Sequence, residues 1–133
     1  MTLDQWANQM VGLLQTEFHQ ADISFDYEHS ACPRPVSEVY ITAGVTKGQI
    51  SAPVFGGYYG GGNNRLLSAV MTFTVHASTV MLCQYWRDKT ADFLLSISPE
   101  PAGIKLGQIK FDKSADCFAL PLDAEYRFYQ SND

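Results

Sequence analysis

The side chains able to do chemistry are few and scattered. His29-x-x-Cys32 has the spacing of a metal-ligand pair, and His19 and His76 supply two further imidazoles. Structural zinc takes four ligands as two close pairs, and the chain has no second Cys/His pair, so no metal is expected. Of the cysteines, Cys83 and Cys117 fall within apolar patterns, where a thiol behaves as a small inert hydrophobe. Cys32 stands beside Pro33 and Arg34, with no His–acid arrangement to activate it. Asp88 and Asp92 lie one helical turn apart, but Arg87 and Lys89 are interspersed with them, the pattern of a solvated face. No catalytic residue and no cofactor is expected, and the chain reads as a non-enzyme.

Between Gly56 and Gly62 lie half of the ten glycines. A glycine-rich loop can cradle a phosphate through free backbone N–H groups. This one has no Gly-Lys-Ser/Thr and no Gly-x-Gly-x-x-Gly, and it leads into a strand pattern instead of a helix N-terminus. It reads as a hairpin loop carrying Phe55, Tyr58 and Tyr59. Aromatic residues so placed offer apolar area with a polar tip, which suits contact with another protein.

The elements that must position these residues follow from composition and period. The chain has 133 residues, 46% hydrophobic and 17% charged, with a net charge of −5. That predicts one domain, residues 1–133, with a single core. Its nine Lys and Arg are spread singly, without the positive field that phosphate-backbone binding requires, so sequence-specific nucleic-acid recognition is not expected. No apolar run approaches the roughly 18 to 20 residues of a membrane span, and no basic-then-apolar leader opens the sequence, which predicts neither a membrane partner nor a signal peptide. Three widely spaced cysteines predict reduced thiols in a cytosol.

Leu3, Trp6, Met10, Leu13, Leu14 and Phe18 recur at helical steps, so an amphipathic helix is predicted over about 3–20, opened by Thr2 and Gln5 as a capping box. Ile23, Phe25 and Tyr27 alternate as a strand, and Cys32-Pro33-Arg34-Pro35 is a connector. A second strand is predicted over 36–46, then the long loop 47–65, then a strand over 66–77. A second helix follows over 78–96, capped by Ser78 or Thr79 and stopped by Pro99 and Pro101. The closing hairpin runs Ile104–Phe111 and Phe118–Phe128, with a β-bulge expected at Gly107 and an edge or locally unpaired position at Pro121. The order α-β-β-β-α-β-β predicts an α+β fold: a mainly antiparallel sheet with two helices packed on one face.

The strand Leu66–Ala77 running into the helix Ser78–Ser96, then Ile109-Lys110-Phe111 and the terminal strand Phe118–Phe128, resembles the tail terminator and minor tail (tail-completion) proteins of tailed phages and related contractile particles. The likeness spans nearly the whole chain as a pattern of elements. It implies a structural protein that forms a ring, commonly of six subunits, caps the growing tail tube and joins it to the head connector. The implied partners are other copies of the chain, the tail tube protein and the head–tail connector protein. The implied location is the virion tail, or the host cytoplasm during assembly. Subunit or tube contacts would fall on Phe55, Tyr58 and Tyr59 and on the hairpin tip with Asp112, Lys113 and Asp116. The glycine-rich loop departs from a simple family pattern, which leaves open a neighbouring connector protein instead of the terminator itself.

Two other readings fit the same order of elements. One is a small-ligand or enzymatic α+β domain, with Tyr27, His29, Tyr40 and His76 facing one cavity. The other is a monomeric adaptor binding one partner through the aromatic loop.

Overall fold

A computed structural model describes residues 3–18, 22–25, 39–51, 65–97, 100–113 and 116–130. The expected α+β architecture is present. Helix α1 (Leu3–Glu17) is followed by β1 (Asp22–Phe25), β2 (Val39–Ser51) and β3 (Arg65–Ala77), then helix α2 (Val80–Ser96) and β4 (Gly103–Leu106), β5 (Lys110–Asp112) and β6 (Cys117–Gln130). The sheet runs β1-β2-β3-β6-β4, with β5 also on β6. Every neighbouring pair is antiparallel except β1 with β2, which is parallel.

Period-two alternation decides which face is core. On β3, Leu67, Ala69, Met71, Phe73, Val75 and Ala77 are all buried, and opposite them on β6 stand Leu120, Leu122, Ala124 and Tyr126. Helix α1 lays Trp6, Met10, Leu14 and Phe18 on this face, over β1, β2 and β3. Helix α2 covers β3 and β6 with Cys83, Trp86 and Leu94. Phe18 joins the two helices, its ring 5.5 Å from that of Trp86 and 5.6 Å from that of Phe93. The extended backbone of Thr79 caps α2, its hydroxyl accepting from the Leu82 N–H at 3.2 Å.

Two departures from the expected boundaries have local causes. The second strand does not stop at residue 46 but continues to Ser51, so residues 47–51 belong to β2 and the connection narrows to 52–64, outside the described residues. The alternation is lost to sequence inspection there because Thr46 is an extra residue: Val45 pairs with Met71 and Lys47 with Val70. Such a bulge turns every later side chain to the other face. The first arm of the closing hairpin is split into β4 and β5 around residues 107–109. Pro121 sits opposite that break, in an internal strand and not at a sheet edge. Its carbonyl accepts from the Gly107 N–H at 3.0 Å, so the position of its missing N–H faces the break as well. A Cβ on Gly107 would lie 2.5 Å from Pro121 Cγ, which is why glycine stands there.

Candidate functional site

The face of the sheet away from the helices is polar and half-buried, with Thr42, Thr72, Thr74, His76, Asp123 and Glu125 drawn from β2, β3 and β6. The strands cross-link it. Thr72 donates to Asp123 Oδ1 at 2.6 Å, and the Thr46 and Thr72 hydroxyls are 3.1 Å apart, so one hydrogen-bonded line runs over three strands. The β4–β6 register sets Lys105 opposite Asp123. The bulge at Thr46 turns Lys47 to this face opposite Val70. Together Thr46, Lys47, Ser68, Lys105 and Glu125 line a cleft of about 640 Å³, and a neighbouring recess of about 200 Å³ reaches Gly103 and Asp123. Two ammonium groups, one carboxylate and two hydroxyls line the cleft, with the Asp123 carboxylate in the recess beside it, a mixture that suits a small zwitterionic or peptide-like solute.

Further along the same face the rings of Tyr40 and His76 stack at 4.3 Å, 6° from parallel, with His76 Nε2 3.3 Å from the Thr42 hydroxyl. The register places this pair on β2 and β3 several residues from the cleft. Tyr27 and His29, expected to share a cavity with them, lie outside the described residues, as do Cys32 and His19.

On the helix side the layer ends one strand short. Neither helix is centred over β4 or β5. Ile104 and Ile109 still reach the core cluster as half-buried residues. Leu106 and Phe111 do not, and are 55% and 50% exposed. Leu106 stands opposite the buried Leu122, and Phe111 opposite Phe118 with ring centroids 5.1 Å apart, so both project from the apolar face at the sheet's end. On α2, Met81 and Tyr85 also point outward, at 79% and 58% exposure.

The hairpin tip expected to make contacts joins β5 to β6 beside that end. Lys113 and Asp116 are exposed and Asp112 is half-buried. Asp116 takes a positive φ of 52°, a left-handed conformation that aspartate tolerates. Phe55, Tyr58 and Tyr59 fall outside the described residues.

Cys83 and Cys117 are buried cysteines. The Cys83 Sγ points at the carbonyls of Val75 (3.6 Å) and Phe118 (3.5 Å), and burial pushes its pKa up to about 11. Such a thiol is a poor nucleophile. Among the described residues no group of three or more His, Cys, Asp or Glu is placed to hold a metal ion, and no helix is long and apolar enough to cross a membrane.

Sequence reasoning missed the cleft and the apolar strand end. The alternation of Asp123, Glu125 and Arg127 along β6 marks a polar face, but the convergence of Lys47 and Lys105 on it depends on a bulge and on pairing with strands distant in sequence. No family model matches the chain, and no curated protein is similar to it at a significant level.

Proposed function

We propose that this chain is a structural subunit that assembles with copies of itself into a ring, in the manner of the phage tail terminators that its order of elements resembles. The observation that carries the reading is the uncovered end of the sheet. Leu106 and Phe111 extend an otherwise packed apolar face beyond the helical layer of the described residues, and a second protein surface would bury them. A ring needs a surface of this kind on every subunit, and needs no catalytic group. A cap stops a tube by matching its last ring on one side only, so its chemistry is shape, exposed edges and loops. The tail tube protein and the head–tail connector are the partners this reading supplies, in the virion tail. Phe55, Tyr58 and Tyr59, with Asp112, Lys113 and Asp116 at the hairpin tip, are the contacts proposed for them.

Negative-stain images of the purified chain test the reading. Rings of uniform diameter are the expected result, and a field of single small particles at every concentration would contradict it. The polar cleft favours a second reading, a small-ligand binding domain. A thermal-shift screen with amino acids and short peptides tests that one: a dose-dependent stabilisation lost in Asp123→Asn would support it over the ring.

A further inference from the structure

The charges around the polar cleft are unequally satisfied. Arg127 donates to Glu125 Oε1 from Nε at 3.2 Å and from a terminal nitrogen at 2.9 Å, so the Glu125 charge is already met. Asp123 receives the neutral Thr72 hydroxyl on Oδ1, which holds the carboxylate in place and leaves Oδ2 to accept from another group. Lys47 and Lys105 line both the cleft and its recess, yet neither forms an ion pair among the described residues, even though the register sets Lys105 opposite Asp123. Glu100, Lys110, Asp112, Lys113 and Asp116 line neither cavity. Counting Arg127 with Lys47 and Lys105 against Asp123 and Glu125, one positive charge is left over.

The order of these groups across the sheet is specific. Lys47 stands on β2 and Lys105 on β4, with β3 and β6 between them, so their backbones are about 14 Å apart, within reach of two lysine stems with a small dicarboxylate between them. Between the two ammonium groups come the apolar Val70 on β3, opposite Lys47, and Asp123 on β6. Resting on the ligand-binding reading of this cleft, we infer that it takes an amino acid with an acidic side chain: the two ligand carboxylates bind Lys47 and Lys105, and the ligand ammonium donates to Asp123 Oδ2. The methylene stem of such a ligand lies over Val70, and its net charge of about −1 cancels the surplus of the cleft. Gly103 keeps the recess open. It faces Glu125, and a Cβ built on it meets nothing within 4 Å, so a larger side chain there would fill the space without straining the strand.

The test is calorimetric titration of the full chain with L-glutamate and L-aspartate, compared with L-glutamine, which lacks the second carboxylate, and glutarate, which lacks the ammonium. At least one acidic amino acid should bind, and both analogues should bind at least about tenfold more weakly, because each leaves a charged group of the cleft without its partner. Asp123→Asn should abolish the preference for glutamate over glutarate, and Lys105→Gln the preference for glutamate over glutamine. Gly103→Leu should block binding while leaving the melting temperature near that of the parent, which separates occlusion of the cleft from loss of the fold. Glutamine or a neutral peptide binding as well as glutamate, and lost in Gly103→Leu, would overturn the acidic ligand and leave the ligand-binding reading standing. No heat with any amino acid or short peptide at millimolar concentration would overturn both.

Discussion

The indole of Trp6 on α1 meets the ring of Tyr126 on β6 edge-on, with centroids 5.0 Å apart and planes 63° apart, and both side chains are fully buried. This contact ties the first helix to a strand more than a hundred residues later and so closes the fold. Trp6→Ala should cost about 3–5 kcal/mol of stability, the usual cost of deleting a buried indole with incomplete collapse around it. Urea unfolding measures it, and a loss below about 1 kcal/mol would contradict this packing.

The same contact contains a conflict. The Tyr126 hydroxyl is buried without a hydrogen-bond partner among the described residues, and burial holds its pKa far above the usual phenol range. Removing an unsatisfied hydroxyl removes its desolvation penalty of about 1–3 kcal/mol while leaving the ring in place. Tyr126→Phe should therefore be as stable as the parent or more so. A loss above about 1 kcal/mol would show that the hydroxyl is bonded after all.

Alkaline pH should weaken the fold through Cys83. Its ordinary pKa of 9.0 is raised to about 11 by burial, so above pH 9 the unfolded chain releases this proton and the folded chain retains it. The thiol's contribution is complete below pH 9 and declines as pH rises towards 11. Denaturant midpoints between pH 9 and 10, below the range where Tyr126 adds its own loss, should fall in the parent and fall less steeply in Cys83→Ala. Equal slopes would assign the decline to other groups.

Gly107→Ala should destabilise by about 1–3 kcal/mol, since the added methyl would overlap the Pro121 ring and one of the two chains must shift. Hydrogen exchange should show the loss concentrated in β4 and β5. An unchanged melting temperature would mean that the break between the two strands is looser than described.

Much of this architecture is legible in the residues themselves, for reasons that also mark where legibility ends. Trp6, Met10, Leu14 and Phe18 announce α1 because a helix that covers a sheet must repeat its apolar residues every three or four positions. Thr79 announces the start of α2 because its hydroxyl replaces a lost backbone partner. Gly107 and Pro121 mark an irregularity in the closing hairpin, though not that they face each other across it. What is hidden depends on pairing between distant segments. One added residue at Thr46 reverses the face of Lys47, and the parallel partnership of β1 with β2 leaves no trace in either strand's alternation. The exposed end at Leu106 and Phe111 is hidden for a related reason. Their pattern is that of any half-buried strand, and only the extent of the helical layer leaves them uncovered.

The most direct measurement is the solution mass of the purified chain by light scattering across a concentration series, at low and high salt. A single closed species of fixed subunit number is the predicted result. A mass of one chain at every concentration and salt would contradict ring assembly.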